Sequence, residues 1–151
     1  MRPLLALAGI ISLIFAVEHT RERRKGKKIF ISFAMKDQGI REMFVGQMKH
    51  PDVDYRFQDR SVRKPWDKAW KTNCRKRIQA CDAVVILLTK NSNKASGVLW
   101  EAKCAMQEKK PICLVYGSQK NRPKKIAPEL KSIDIIDWTR QNIAEFIAKL
   151  K

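Results

Sequence analysis

Apolar residues recur in the sequence in two patterns. Short, nearly continuous apolar runs are typical of strands buried on both faces, and a return every three or four positions is typical of amphipathic helices. The predicted strands are 28–34, 54–59, 83–88, 111–116 and 132–137, and the predicted helices are 37–49, about 65–81, 96–109 and 142–151. Strands alternating with helices predict an α/β domain, a five-stranded parallel sheet with helices on both faces, of the flavodoxin-like kind.

The helix at 96–109 is the centre of the functional interpretation. Ser96 is a suitable N-cap, and the residues at helical spacing that we expect to face the core are Leu99, Ala102, Ala105 and Met106. The helix follows the apolar strand 83–88 through a short polar loop, so it begins at the carboxyl edge of the sheet, where ligands bind in open α/β folds. Glu101, directly after Trp100, is therefore the candidate functional carboxylate.

An apolar run at 4–17 precedes the α/β pattern. One basic residue lies before this run and a basic segment at 21–28 follows it, and basic flanks stay on the cytoplasmic side of a membrane. We therefore predict an uncleaved single-pass anchor at 1–20, a basic juxtamembrane linker at 21–28, and a domain at 29–151 on the cytoplasmic face of the inner membrane. The alternative is a hydrophobic helix that packs against a partner chain.

The chain is strongly basic, with 32 Lys and Arg against 15 Asp and Glu and a net charge of +17. This charge favours an anionic partner but does not choose among nucleic acid, lipid and a phosphorylated small molecule. The basic face of the helix at 65–81 carries no interleaved aromatic residues, which argues against a nucleic-acid stripe. The glycine motifs of Rossmann and P-loop sites are absent from the sequence.

Four cysteines show no C-x-x-C pair and no neighbouring histidine: Cys74, Cys81, Cys104 and Cys113. Their positions in helix and strand interiors predict buried free thiols rather than disulfides or metal ligands. We expect no metal site and no cofactor.

Four segments together resemble the TIR-like domains of the bacterial anti-phage Thoeris systems. They are the opening strand and turn KIFISFAMKD at 28–37, the stretch DRSVRKPW at 59–66 followed by Trp70, the strand CDAVVILLTKN at 81–91, and the helix start ASGVLWE at 95–101. The similarity covers about 28–116 well and the remainder loosely. Many such domains have a tryptophan four residues before the glutamate, where this chain has Gly97.

The resemblance implies an enzyme that cleaves NAD between nicotinamide and ribose and converts ADP-ribose into a linear, cyclic or conjugated signal. Glu101 matches the family's catalytic glutamate. Nicotinamide is a cationic group that departs neutral, so one carboxylate suffices to stabilise the positive charge that develops on the ribose, without a general acid. The resemblance also implies the following substrate-binding residues: Ser32, Phe33, Ala34, Asp59, Ser61, Trp66 and Trp100.

Three hypotheses follow from the sequence. The first is a membrane-anchored NAD-consuming enzyme that self-associates through TIR surfaces. The second is a catalytically silent TIR module that assembles with other TIR domains. The third, a basic nucleic-acid-binding α/β protein, has the least support from the residues.

Overall fold

A parallel sheet of five strands in the order β2-β1-β3-β4-β5 forms the centre of the domain. The structure is a computed structural model that describes residues 26–49, 55–58 and 69–150. The strands are β1 (Lys27–Ser32), β2 (Tyr55–Phe57), β3 (Ala83–Leu88), β4 (Ile112–Tyr116) and β5 (Ile135–Asp137). The α-helices of the described residues are α1 (Gln38–Met48), α2 (Trp70–Gln79), α3 (Ser96–Gln107) and α4 (Arg140–Ala148). This strand order is that of the flavodoxin-like fold, so the predicted sheet is confirmed.

Two hydrophobic cores cover the two faces of the sheet. On one face, α2 and α3 pack over residues such as Phe30 and Ile86, and on the other face α1 and α4 pack over residues such as Ile31 and Val85. All six residues of β3 are buried, and they alternate between the two cores because successive side chains of a strand point to opposite faces. The apolar run at 83–88 is therefore the central strand.

Some element boundaries differ from the predicted ones. β1 ends at Ser32, whereas the apolar pattern extends to residue 34, because Phe33 and Ala34 are buried without continuing the strand. α4 begins at Arg140, because the Thr139 side chain accepts a hydrogen bond from the backbone N–H of Asn142 and caps the helix.

The predicted N-terminal anchor at 1–20 and residues 21–25 of the predicted linker at 21–28 lie outside the described residues, whereas Lys27 and Lys28 are the first two residues of β1 rather than part of a linker. No helix in the described part of the chain is long and apolar enough to cross a membrane. The anchor therefore remains a prediction.

The switch in strand order lies between β1 and β3. After β1 the chain runs through a 3-10 turn, Met35–Asp37, to α1 on one face, and after β3 it runs through a second 3-10 turn, Ser92–Lys94, to α3 on the other. The two connections diverge at the carboxyl edge of adjacent strands, and this geometry opens a crevice where flavodoxin-like domains bind their ligands.

Candidate active site

A cleft of about 610 Å³ lies at this switch point. Its volume falls within the range of small-molecule sites in proteins. It is lined by the turn after β1, the start of α2, the loop after β3 and the first turn of α3: Ala34, Met35, Lys36, Trp70, Lys71, Asn91, Lys94, Ala95, Ser96, Gly97 and Trp100. The predicted location of the site, at the start of α3, thus coincides with a cleft.

Two tryptophans form one wall of the cleft. The Trp70 and Trp100 rings meet edge to face with their centroids 5.2 Å apart, and the Arg75 guanidinium lies 5.7 Å from the Trp100 ring centroid. Arg75 also donates hydrogen bonds to Glu108 (2.6 Å) and Gln107 (2.9 Å) at the end of α3. The hydrogen bond from Arg75 lowers the pKa of Glu108, so the pair is ionised. Arg75 therefore joins α2 to α3 and supports the Trp100 ring.

The charged side chains of the cleft are all cationic among its described lining residues. Lys36 comes from the turn after β1, Lys71 from α2 and Lys94 from the turn before α3, and Lys71 Nζ lies 6.0 Å from the Trp100 ring centroid. Three lysines on three separate elements raise the local positive potential. This arrangement favours an anionic ligand.

A buried polar cluster holds together the two turns that flank the cleft. The carboxylate of Asp37, which is 4% exposed, accepts hydrogen bonds from Thr89 Oγ1 and from Asn91 Nδ2 (2.9 Å). Thr89 and Ser92 are bonded to each other twice, since each backbone N–H donates to the other's hydroxyl. The loop after β3 is thus fixed to the turn after β1 across the switch point.

Glu101 lies on the inner side of α3. The buried stripe of this helix is Val98, Glu101, Ala102, Cys104 and Ala105, and Glu101 is 0% exposed. Trp100, one position earlier and about 100° away around the helix, lines the cleft instead. The prediction that Met106 faces the core was wrong, because Met106 is 37% exposed and the buried stripe includes Glu101 in its place. The carboxylate is therefore inside the layer between α3 and the sheet.

Ser32 is a second buried polar residue on the same side of the sheet. It is the last residue of β1 and shares the α2 and α3 face with Phe30, two positions earlier. Its hydroxyl is buried and has no hydrogen-bond partner among the described residues. A buried polar atom of this kind is a candidate for contact with a ligand.

The other predicted site residues do not all lie at the cleft. Ala34 and Trp100 line the cleft. Phe33 is 7% exposed and packs in the core on the α1 and α4 face, because it follows Ser32 and points to the opposite side of the sheet. The three residues expected on the facing loop lie outside the described residues: Asp59, Ser61 and Trp66.

Two residues of the cleft, Lys36 and Asn91, and the buried Asp37 that is hydrogen-bonded to Asn91 were not singled out from the sequence. Asn91 comes shortly after the buried β3, Lys36 follows β1, and Asp37 follows Lys36. Polar residues directly after two adjacent parallel strands meet at one edge of the sheet, and this signal could have identified them.

The four cysteines are buried free thiols, as predicted. Burial raises the pKa of Cys81 to about 11 and that of Cys113 to about 12. Among the residues that the structure describes, no group of three His, Cys, Asp or Glu side chains is placed to share a metal ion.

The fold and the cleft define a flavodoxin-like α/β domain with a cationic cleft at its topological switch point. The TIR domain family model matches residues 29–151, so the chain belongs to the TIR domain family. No curated protein matches the sequence. Among solved structures, the chain is similar to the CMP N-glycosidase BcmB of Clostridium botulinum, with a TM-score of 0.45 and 15% identity over 79% of this chain and 95% of that one.

Proposed function

We propose that this TIR domain cleaves NAD at the bond between nicotinamide and ribose, with Glu101 as the catalytic carboxylate. The observation that carries the proposal is the position of Glu101 in a TIR domain: it lies in the second turn of α3, next to the cleft residue Trp100, at the switch point of the sheet. A carboxylate buried in a low-dielectric layer interacts strongly with a positive charge that develops on the substrate.

The lining of the cleft supports a dinucleotide as the substrate. Lys36, Lys71 and Lys94 offer cationic donors for a pyrophosphate, and the Trp70 and Trp100 rings offer an apolar wall for a base or a ribose. We propose that Ser32 and Ala34 border the nicotinamide ribose. By resemblance to the family we assign Asp59, Ser61 and Trp66 to the facing side. The reaction requires no cofactor, since NAD itself carries the leaving group.

Activity in this proposal depends on assembly. Because Glu101 is 0% exposed, substrate reaches its carboxylate only after the side chains around it rearrange. We propose that self-association through TIR surfaces drives this rearrangement and that residues 1–20 anchor the assembly at the inner membrane. The ADP-ribose-derived product would then serve as a signal in anti-phage defence of the Thoeris kind.

The test is release of nicotinamide from NAD by the full chain, measured by chromatography at low protein concentration and after assembly on vesicles of anionic lipid. We expect Glu101→Gln to abolish the release while circular dichroism remains that of the wild type. The matched control is Glu42→Gln, which neutralises an exposed carboxylate on α1 and keeps full activity. Nicotinamide release by Glu101→Gln at the wild-type rate would refute the assignment.

The second candidate function is an interaction module without catalysis. Two large apolar side chains on the surface favour it, since Met35 is 59% and Met43 is 56% exposed. Met35 also lines the cleft and Met43 lies on α1, so the two side chains are candidates for contact with a partner at two places on the surface. In that case association survives Glu101→Gln, is lost in Met35→Ser with Met43→Ser, and no nicotinamide appears under any condition.

A further inference from the structure

The hydrogen bonds of the Asp37 cluster fix the orientation of a cleft side chain. Asp37 is nearly fully buried, and its two oxygens have separate partners, Thr89 Oγ1 for Oδ2 and Asn91 Nδ2 for Oδ1. Of these residues only Asn91 also lines the cleft. The cluster therefore connects a buried carboxylate to the surface that a ligand contacts.

An ionised carboxylate only accepts hydrogen bonds, whereas the two ends of an asparagine amide are a donor and an acceptor of nearly the same shape. Asn91 turns its NH2 group to Asp37, which leaves its carbonyl oxygen as the acceptor that the amide can offer to a ligand in the cleft. With a neutral neighbour in place of Asp37, either end of the amide could face the ligand. Asp37 thus sets the polarity of the cleft at this position.

Asn91 Oδ1 accepts hydrogen bonds, whereas the charged groups that line the cleft donate them. The ammonium groups of Lys36, Lys71 and Lys94 are donors without an acceptor, and they match anionic oxygens. Asn91 Oδ1 matches an N–H or O–H group. A ligand that satisfies both carries anionic oxygens at one part and a hydrogen-bond donor at another, as a nucleotide does.

We propose that Asn91 is a specificity-determining residue, whose Oδ1 accepts a hydrogen bond from a donor on the ligand, and that Asp37 is the positioning residue that imposes this orientation. The inference rests on the proposed function in taking NAD as the ligand. On the nicotinamide riboside half of NAD, the available donors are the carboxamide NH2 group and the ribose hydroxyls.

The experiment measures binding rather than turnover. Dissociation constants of the full chain are measured by calorimetry for NAD and for two analogues. Nicotinic acid adenine dinucleotide lacks the carboxamide donor, and nicotinamide 2′-deoxyriboside adenine dinucleotide lacks a ribose hydroxyl. The wild type is expected to bind NAD more tightly than one of the two analogues. The donor that this weaker analogue lacks is the group that donates to Asn91.

In Asn91→Ala that preference is expected to fall by about threefold to tenfold, the range for one hydrogen bond, while the preference over the other analogue stays unchanged. Asp37→Ala is expected to reduce the same preference, and Asp37→Asn to reduce it less, because a neutral amide can still accept from Asn91. If Asp37→Ala does not fold, Asp37→Asn and Asn91→Ala carry the test.

The matched control is Asn93→Ala. Asn93 lies in the same loop and makes two hydrogen bonds of 2.8 Å, to Lys125 O and from the Ala127 N–H, but it does not line the cleft. Its removal is expected to leave both preferences at the wild-type value. A purely structural role for Asn91 would make the two variants behave alike.

Unchanged preferences in Asn91→Ala, or an equal change in Asn93→Ala, would overturn the inference. The outcomes also separate it from the proposed function. If the preference for NAD depends on Asn91 but no nicotinamide is released, only the proposed catalysis is refuted. If nicotinamide is released but Asn91→Ala leaves the preferences unchanged, only the role of Asn91 is refuted. Failure of NAD to bind at all would refute both.

Discussion

Replacement of Asp37 by alanine tests whether the buried polar cluster stabilises the domain. The change removes the acceptor of two hydrogen bonds, from Thr89 Oγ1 and Asn91 Nδ2. Asp37 is 4% exposed and Thr89 is 1% exposed, so water does not readily replace the carboxylate at the threonine hydroxyl. The turn after β1 would lose its side-chain connection to the loop after β3.

The magnitude follows from the two bonds. Each hydrogen bond to a charged group contributes about 1.5–3 kcal/mol, which sets an upper range of about 3–6 kcal/mol. Two effects offset part of the loss: the variant no longer buries a charge, and the Thr89 hydroxyl can turn to Ser92 Oγ, 3.4 Å away. We therefore expect Asp37→Ala to lower the free energy of unfolding by about 2–4 kcal/mol.

The measurement is urea-induced unfolding monitored by far-ultraviolet circular dichroism. If only stability has changed, the midpoint of unfolding moves while the slope of the free energy of unfolding against urea concentration stays the same. Asp37→Asn should cost less, since one amide oxygen still accepts. Asp134→Ala removes an exposed carboxylate and should stay within about 0.5 kcal/mol of the wild type. A loss below about 0.5 kcal/mol in Asp37→Ala would refute the argument, because surface substitutions have effects of that size.

Two further predictions concern the charge of the cleft and the buried thiols. Lys36→Gln with Lys94→Gln should weaken NAD binding several-fold and reduce its salt dependence in calorimetry, whereas Lys149→Gln, at the other end of the sheet, should do neither. Since burial raises the pKa of Cys81 to about 11 and that of Cys113 to about 12, the unfolded thiols lose their protons first, near pH ~8.5. The contribution of the two thiols to the free energy of unfolding should therefore be intact below that pH and fall as the pH rises to about 11 for Cys81 and about 12 for Cys113. Substituting both cysteines by serine should flatten the fall, and an unaltered dependence of stability on pH in urea titrations would contradict this.

The sheet and the location of the cleft could be predicted from the sequence. The run at 83–88 is apolar at every position because β3 is buried on both faces, and α3 begins close to the predicted residue. The prediction that Ser96 is the N-cap was wrong, because Ala95 occupies the N-cap position without a side-chain hydrogen bond and Ser96 is the first helical residue. Once strands and helices alternate, the fold class and the ligand-binding edge follow from general rules. The prediction of a site at the start of α3 depended on these strong local signals.

The orientation of individual side chains could not be predicted in the same way. Hydrophobicity favours Met106 over Glu101 on the inner face of α3, yet the helix buries Glu101, because its rotation is set by packing against α2 and the sheet. The Asp37 cluster joins residues 52 and 54 positions apart, and such a contact exists only after the chain has folded. The strand pattern indicates that these residues meet at one edge of the sheet, but not which side chains are hydrogen-bonded to each other.

The double burial of β3 has a consequence for how the domain opens. Because β3 is hydrogen-bonded to β1 and β4 and contributes to both cores, neither core can be exposed without disturbing the other, and the two faces form one cooperative unit. Among the described residues, we expect the backbone amides of β3 to exchange with solvent most slowly. Thr89 follows β3 directly. The Asp37 cluster, which orients Asn91, is therefore attached to the strand whose backbone amides we expect to exchange most slowly among the described residues.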